Sequence, residues 1–539
     1  MASLRVVAEL NRVRSRGLRK LPGVVYGVAL GLALLSLACA DNGGASSQRP
    51  NVVLIVVDTL RADVIRDKYG LVDTPEIDRF ASEGVPFVRA YTHAPMTLPA
   101  HTALFSSRLP VESGVLNNSQ NVPDDLPLLA EWMQRYGYST RAVLSIGTLK
   151  PNAGEQGLSR GFESYDTDLF HLDRAENVTP RMRSMLESWP AFNGTEEQPF
   201  FLFAHFSDPH APYRSHAAAS ENVLVTLDGE ELGAFDLSDA PQLDFDLNLT
   251  PGEHVLEIRG PDDDSMRVRV ASLRTDKNVP LTINLEEGQL FEPSSTLRGR
   301  FVSPAGQAHL RLWMHDIVDG PSKKLRYLSE VEHIDHFVGE LLQILRDSGT
   351  YDETMVILVS DHGEALGERA LFGHVSYLFD PIIHVPLIMK LPGAEADPGK
   401  AQPSMNGNEP VSLIDLTPTI LEICGLPDLP GQRGHSLLSA RDKPFEHIAE
   451  THKPEAPQDR LSLFDGTLRM VYIADEDRFQ LFDLDLDPRE KNDVFAARGD
   501  ERPEWPERLR LIAQQAARIA SEGNGPDIDR ASVLRALGY

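Results

Sequence analysis

Three continuous apolar segments, each followed closely by an aspartate, constrain the fold of this chain more than any other feature. They read VVLIVVD, ending at Asp58, FFLFAHFSD, ending at Asp208, and MVILVSD, ending at Asp361. Continuous rather than alternating apolar residues are typical of parallel strands that are covered on both faces. Segments with apolar residues at every third or fourth position, such as LPLLAEWMQRYG, lie between them and predict helices. The sequence therefore predicts an α/β fold with a doubly wound, mainly parallel sheet.

The same patterns divide most of the chain into four parts. Residues 51–215 and 319–409 carry the α/β pattern and form two halves of one core, whereas 410–539 predict a small C-terminal α+β subdomain that closes with a helix. Between the core halves, 216–318 show short alternating strands separated by Gly, Pro and Asp turns, which is typical of a β-sandwich. This insertion is either a carbohydrate- or surface-binding module or a passive spacer and oligomer contact. Trp313 stands nearly alone among its aromatic residues, which favours the second interpretation.

The N-terminus predicts export from the cell. Residues 1–38 combine a basic start with an apolar run, the pattern of a signal peptide, and 39–50 form a polar tether. A permanent transmembrane anchor is the alternative, but glycines and a proline interrupt a run that is marginal for a span. The stretch LLSLACAD resembles a bacterial lipoprotein signal, which implies lipidation of Cys39 and a lipid-anchored protein of the periplasm or cell envelope. With Cys424 as the one other cysteine, lipidation of Cys39 excludes an intramolecular disulfide.

The charge of the chain excludes one class of partner. Its 80 acidic and 52 basic residues give a formal net charge of −28. Such a surface repels nucleic acid and offers no electrostatic footprint for it. The sequence leaves the oligomeric state open.

Acidic and histidine side chains follow the predicted strands where chemistry is expected. Asp58 ends the first strand, Asp208 and His210 follow the second, and Asp361 and His362 follow the third. Ligands of α/β sheets gather at the carboxyl ends of strands. Carboxylates and imidazoles together suit a divalent cation such as zinc, manganese or calcium. A single aspartate at such a position is more often a helix cap, but three such strand ends together favour a metal site.

Seven ordered motifs carry a family resemblance. They read NVVLIVVDTLRAD, TPEIDRFASEGVPFVRAYT, MTLPAHTALFSSRLP, FSDPHAPY, VSDHGEALGE, HVPLIMKLPG and FDLDLDPRE. In this order they resemble the sulfatase-like branch of the alkaline phosphatase superfamily over about residues 50–215 and 325–490. The resemblance implies that family's α/β fold and a metal-dependent hydrolase of anionic esters.

The resemblance also implies a metal site. Asp58, Asp361 and His362 match metal ligands, and Thr97 occupies the position of the nucleophile, which is itself a ligand. Sulfatases usually carry a second aspartate ligand where this chain has Thr59. This difference favours zinc or manganese over calcium.

Further positions follow from the same resemblance. His210 matches a histidine that contacts the substrate, and His374 stands where many members have a lysine that faces it. Together with Asp208, these two histidines are predicted to hold a second metal or to supply the acid and base. His101 is predicted to hydrogen-bond near the nucleophile, and Glu364 to orient the His362 ligand. The remaining histidines that we considered are predicted to pack or to lie at the surface: His93, His205, His333, His336 and His384.

The nucleophile loop departs from sulfatases. There, Cys or Ser followed by x-P-x-R directs oxidation to formylglycine, but Thr97 and His101 replace both ends of that code. Oxidation of a threonine at its β carbon gives a ketone, so no formylglycine is expected. A hydroxyl bound to a metal remains a competent nucleophile, which favours attack on phosphate esters over sulfate esters. Alternatively, the Thr97 hydroxyl only caps the helix that begins near Ala100.

Three functions follow in order of preference. The first is hydrolysis of phosphate or sulfate esters through a covalent intermediate on Thr97. The second is transfer of a phosphoryl-linked head group, although such transferases usually carry several membrane helices. The third is an inactive protein that binds an anionic glycan, which the joint presence of Asp58, Thr97, Asp361 and His362 disfavours.

Overall fold

The structure is a computed structural model. It describes residues 49–65, 72–151, 156–167, 172–195, 197–213, 222–236, 242–259, 268–275, 296–303, 306–316, 320–393, 405–439, 441 and 444–521. The predicted signal peptide, Cys39 and nearly all of the tether lie outside these residues. Within them, no helix combines the length and the apolar character that a membrane span requires.

The described strands fall into three groups along the chain. The first group is β1 (Asn51–Val57), β2 (Val85–Tyr91), β3 (Ser139–Val143), β4 (Ser164–Asp166) and β5 (Phe200–Phe206). The second is β6 (Asn222–Leu227), β7 (Glu230–Asp236), β8 (Gln242–Leu249), β9 (Gly252–Arg259), β10 (Val268–Thr275), β11 (Thr296–Ser303) and β12 (Gly306–Asp316). The third is β13 (Thr354–Val359), β14 (Ala365–Leu366), β15 (Phe372–Gly373), β16 (His384–Lys390), β17 (Val411–Ser412), β18 (His447–Thr451), β19 (Arg460–Phe464), β20 (Leu468–Ile473) and β21 (Arg478–Asp483).

The described α-helices surround these strands. They are α1 (Pro75–Glu83), α2 (Thr97–Ser106), α3 (Pro110–Ser113), α4 (Leu129–Arg135), α5 (Ala175–Glu187), α6 (Gly320–Asp347), α7 (Asp380–Ile383), α8 (Leu416–Ile423), α9 (Phe495–Arg498) and α10 (Trp505–Ser521).

An eight-stranded sheet forms the centre of the fold, in the order β17-β2-β16-β13-β1-β5-β3-β4. The strands from β13 to β4 in this order are parallel to one another, and β16 runs antiparallel to both of its neighbours. This confirms the predicted α/β fold with a mainly parallel sheet. Continuous apolar strands are required here because helices cover both faces.

Strand β1 shows how both faces are covered. Its side chains alternate between the two faces of the sheet. Val52, Leu54 and Val56 lie in the core beneath α2 and α8, whereas Val53 and Ile55 lie in the core beneath α1, α5 and α6. Both sets are fully buried. The sheet therefore holds its strand ends rigidly, and loops at its carboxyl edge start from fixed points.

The insertion forms two antiparallel sheets, β10-β12-β8 and β11-β9-β6-β7. Its described strands lie within 222–316, inside the range predicted for a β-sandwich. Whether the insertion binds a ligand stays a prediction.

The C-terminal region consists of the antiparallel sheet β18-β19-β20-β21, covered by α10. The predicted pairing of LRMVYIA with FQLFDLDLDP is present as β20 and β21. However, β17 joins the central sheet beside β2, and α8 packs in the core of that sheet. The predicted boundary at residue 410 therefore cuts through the core, because the α8 pattern alone does not reveal which sheet the helix covers.

Candidate active site

The ends of two neighbouring strands bring three predicted ligands together. Asp58 follows β1, and Asp361 and His362 follow its parallel partner β13. One ligand atom from each lies within 4.8 Å of the others, and all three side chains are buried. The His362 Nε2 atom lies 3.4 Å from Asp361 Oδ2 and 3.8 Å from Asp58 Oδ1.

Four atoms of these three side chains have no hydrogen-bond partner among the described residues: both carboxylate oxygens of Asp58, Asp361 Oδ2 and His362 Nε2. The other Asp361 oxygen accepts the backbone N–H groups of Thr59 and His362, which fixes the carboxylate. Burial and the neighbouring carboxylate raise the pKa of Asp58, and burial raises that of Asp361. Burial lowers the pKa of His362 to about 3, so its imidazole is neutral. Uncompensated buried carboxylates beside a neutral imidazole fit a divalent cation.

Thr97 is the first residue of α2 and is fully buried. Met96 is the N-cap residue, and its side chain makes no capping hydrogen bond, so Thr97 is the first residue within the helix rather than its N-cap. The Thr97 side chain lies close enough to Asp58 to oppose, in part, the rise that burial causes in the pKa of that carboxyl. His101, one turn later, lies with Nδ1 2.7 Å from the Thr97 carbonyl oxygen and 3.6 Å from Asp361 Oδ2. The nucleophile position and the three ligands thus form one cluster.

Asn118 is a polar residue of this cluster that sequence reasoning missed. Its Oδ1 accepts the backbone N–H of Leu98 at 2.8 Å, next to Thr97. Its Nδ2 is buried and has no hydrogen-bond partner among the described residues. The backbone N–H of Asn118 donates to Glu455 Oε2, so the C-terminal region fixes its position. The sequence LNNSQ reads as an ordinary turn, which is why no pattern singles this residue out.

His210 and His374 lie beside the ligands. The His374 ring stacks on His362 at a centroid distance of 4.2 Å, and His210 lies 5.6 Å from His374. Nδ1 of His374 lies 2.7 Å from the Pro95 carbonyl oxygen, and Nδ1 of His210 lies 2.7 Å from that of Ala211. Burial lowers the pKa of both rings, that of His210 to about 3. Both are therefore neutral imidazoles at neutral pH.

The structure does not bring Asp208 to these histidines. Both of its carboxylate oxygens accept the N–H of Ala175 at the start of α5, at 3.1 and 3.2 Å. Its side chain groups with Glu176 and His333 instead. Asp208 thus holds the start of a helix, the structural role that the sequence alone also allowed.

Glu364 likewise does not contact the His362 ring. Nδ1 of His362 lies 3.1 Å from the Gly363 carbonyl oxygen, whereas the Glu364 carboxyl hydrogen-bonds with Tyr213. Burial raises the pKa of Glu364 to about 8. A backbone carbonyl therefore orients the imidazole, and Glu364 is a protonated carboxyl beside it.

His205 is the second residue whose place sequence reasoning missed. It belongs to β5, and its Nε2 lies 3.9 Å from Asp58 Oδ2 without a hydrogen-bond partner among the described residues. Ser145 Oγ lies 2.9 Å from the other ring nitrogen and holds the ring in place. A histidine inside a strand that is otherwise apolar is the signal that could have found it. Thr59 turns away, because its hydroxyl donates to the Asp58 carbonyl oxygen.

The fold and these side chains define a class: an α/β protein of the alkaline phosphatase-like type, with side chains that suit a metal at the carboxyl edge of its sheet. The chain matches the family model described as Sulfatase over residues 50–426. It therefore belongs to the sulfatase family, whose members are metal-dependent hydrolases.

Relatives and solved structures agree with this assignment. Arylsulfatase K of Xenopus laevis is 26% identical over 525 residues, which cover 90% of this chain and 87% of the relative. N-acetylglucosamine-6-O-sulfatase of Bacteroides thetaiotaomicron is 23% identical, with 86% of each chain covered. A protein solved with its substrate D-glucosamine-2-N,6-O-disulfate shares the fold, with a TM-score of 0.58, 15% identity and coverage of 87% of this chain and 98% of that chain. A phosphonate monoester hydrolase from Silicibacter pomeroyi has a TM-score of 0.55, 18% identity and coverage of 88% and 96%.

Proposed function

We propose that this chain hydrolyses phosphate, phosphonate or sulfate esters by direct attack of the Thr97 hydroxyl, without formylglycine. One observation carries the proposal: Thr97 begins α2 beside the buried cluster of Asp58, Asp361 and His362. His101, one turn along the same helix, lies with Nδ1 2.7 Å from the Thr97 carbonyl oxygen and 3.6 Å from Asp361 Oδ2. A threonine cannot supply the aldehyde of formylglycine. The ester oxygen on Thr97 must therefore be released by water rather than by collapse of an aldehyde hydrate.

Two sets of groups support the reaction: the residues that would hold a cation, and the hydrogen-bond donors beside Thr97. A divalent cation held by Asp58, Asp361 and His362 lowers the pKa of a nearby alcohol and offsets negative charge on the reacting group. Asn118 Nδ2 is an uncommitted donor beside Thr97 and suits an oxygen that gains charge in the transition state. The N-terminus of α2 adds its partial positive charge at the same place.

The reaction proceeds in two steps. Thr97 Oγ1 forms a bond to phosphorus or sulfur and gives up its proton, and the alcohol oxygen of the substrate departs with the bonding electron pair and takes up that proton through His210 or His374. Water then attacks the intermediate and releases Thr97. His210 or His374, as a neutral imidazole, takes one proton from this water and passes it to the departing Thr97 oxygen, which regenerates the hydroxyl.

Hydrolysis of four aryl esters tests the proposal: a phosphate monoester, a phosphodiester, a phosphonate monoester and a sulfate. The full chain is reconstituted with zinc, manganese or calcium, and Thr97→Ala is compared with the matched variant Thr97→Ser. We expect phosphorus esters to be the better substrates, Thr97→Ala to be inactive and Thr97→Ser to retain activity. Activity that survives in Thr97→Ala contradicts the role of Thr97.

We also propose that the chain acts in the cell envelope through a lipid on Cys39, on the strength of the LLSLACAD stretch. Expression in a bacterium followed by membrane fractionation tests this location. A Cys39→Ala variant that stays equally membrane-bound contradicts lipidation.

A further inference from the structure

A cavity of about 640 Å³ is lined in part by residues that closely follow the predicted ligands Asp58 and His362 along the chain, among them Arg61 and Ala365. One of its walls is the hairpin of β14 and β15, whose first strand follows the ligand His362 and whose second leads into His374. Arg61 joins the two regions, because its Nη1 donates to the Glu364 carbonyl oxygen at 3.0 Å while its side chain lines the cavity.

The four acidic residues that line the cavity are already paired. Asp63 and Glu368 form ion pairs with Arg61 at 2.7 and 2.9 Å. Asp380 and Glu490 form ion pairs with the fully buried Arg469 at 2.6 and 2.9 Å. Arg61 belongs to the lining and Arg469 lies behind it. Each arginine offsets the charge of one of its two carboxylates, so the negative charge of the four acidic residues is halved.

Four cations of the lining have no such partner. Lys324, Arg369, Arg489 and Lys491 form no ion pair with a carboxylate in the part of the chain that the structure describes. They converge on one cavity in a chain whose net charge is −28. These four cations outnumber the negative charge that Arg61 and Arg469 leave, and a concave site with an excess of positive charge concentrates anions.

Arg369 is held at the cavity by an unusual backbone. Arg369 and Ala370, at the tip of the hairpin, have φ of 56° and 59°, a left-handed conformation that costs free energy in residues with a side chain. The guanidinium lies 3.9 Å above the ring of Phe379, which also lines the cavity. A strained turn thus keeps one cation at a fixed point of the wall.

We propose that this cavity binds a second anionic group, a phosphate or sulfate, on the same substrate whose ester is cleaved at Thr97. This inference rests on the proposed function and extends it: the substrate is a polyanion with at least one charged group besides the scissile ester. Apolar lining residues such as Leu328, Leu366 and Ile382 pack against the part of the substrate that joins the two groups.

Binding of inorganic pyrophosphate to the metal-depleted full chain tests the cavity without turnover. Without a cation, the carboxylates of Asp58 and Asp361 disfavour an anion at the active site, so the probe reports the cavity. We expect calorimetry to show binding that weakens at least about tenfold in Arg489→Gln/Lys491→Gln. The matched pair Arg135→Gln/Lys150→Gln removes the same charge from exposed positions elsewhere and leaves affinity unchanged. If both double variants bind pyrophosphate with equal affinity, or if wild type does not bind it, the proposed anion site is wrong.

Turnover by the metal-loaded enzyme shows whether the anion in the cavity belongs to the substrate or is free phosphate. We compare an aryl phosphate with the same ester bearing a sulfate elsewhere on the ring. Arg489→Gln/Lys491→Gln is expected to lower kcat/KM about tenfold for the doubly charged ester alone. Loss of pyrophosphate binding without this kinetic effect makes the cavity a free-phosphate site and overturns the substrate assignment. If no ester is cleaved, the hydrolase proposal fails, and pyrophosphate binding still decides whether the cavity takes anions.

Discussion

The side chains nearest the reacting position decide what the sulfatase fold does in this chain. Thr97 is proposed to occupy the position of the aldehyde precursor of sulfatases, and Asn118 offers an amide donor beside it. Both are fully buried, so each interaction with the substrate takes place in a medium of low dielectric constant. Under those conditions one hydrogen-bond donor has a large effect on rate.

Asn118→Ala is expected to lower kcat by about 10²- to 10³-fold, because it removes a donor that acts mainly on the transition state. Asn118→Asp keeps the shape and the acceptor for Leu98 but loses the Nδ2 donor, and is expected to be impaired at least as much. Steady-state kinetics on the best ester measures both variants. A loss confined to KM contradicts a transition-state role.

His205→Leu is expected to weaken divalent metal binding by about 10- to 100-fold, the usual effect of losing a group that orients a ligand. The reason is the position of Nε2, which lies 3.9 Å from Asp58 Oδ2, while Ser145 holds the ring through its other nitrogen. His205→Gln restores a donor and is expected to recover most of the affinity. Competition with a chelator, together with the visible spectrum of the cobalt form, provides the measurement. If His205→Leu binds the metal with unchanged affinity, His205 only packs in the core, as the sequence predicted.

At the scale of elements, strand ends and helix starts place the site. Parallel β1 and β13 end side by side, so Asp58 meets Asp361 and His362 without help from a loop. The start of α2 and the end of β18 come from distant parts of the sequence. The first supplies Thr97 to the candidate site, and the second precedes Glu455. Strand β18 leads into the segment that holds Asn118 through Glu455.

His452, just after β18, gives this segment a pH-dependent stability. Burial alone would lower its pKa, but the carboxylates of Asp459, 3.7 Å from Nδ1, and Glu450, 2.9 Å from Nε2, outweigh burial and raise the pKa to about 9. Because the folded pKa lies above the unfolded value, the contribution is complete below about pH 6.5 and is lost as pH rises through 9. At about 1.4 kcal/mol for each pKa unit, its size is on the order of 3 kcal/mol. We expect the melting temperature of wild type to exceed that of His452→Gln at pH 6, and the gap to narrow by pH 10. A constant gap rules out this ion pair as its cause.

At the scale of the whole molecule, the metal site links folding to ligand binding. The folded chain brings two buried carboxylates together, and the unfolded chain separates them. A cation that binds only the folded state stabilises it by about 2.7 kcal/mol at a concentration of 100 times its Kd. We expect EDTA to lower the melting temperature of wild type, and zinc or manganese to restore it more than calcium does.

Asp58→Asn is the control for metal stabilisation. It removes one of the two repelling carboxylates and one ligand, so its melting temperature should respond less to EDTA or metal. Equal responses in wild type and Asp58→Asn place the stabilising cation elsewhere.

The sequence by itself determined the α/β fold and the strand ends that carry Asp58, Asp361 and His362. It could do so because buried strands require continuous apolar residues, and parallel strands end at one edge. Thr97 and His101 were identified by their place in a motif. These signals are local, and each lies within a short stretch of residues.

Only the tertiary structure decided how the rest of the site is built. Asn118 and His205 reach Thr97 and Asp58 from separate segments, Asp208 turns to α5, and Glu364 turns to Tyr213. The net charge of −28 likewise does not reveal the cavity, where each acidic residue pairs with an arginine and four cations form no ion pair among the described residues. The physical reason is the same in each case: hydrogen bonds and ion pairs depend on distance in space, and a side chain bonds to whichever partner the packed chain brings within reach.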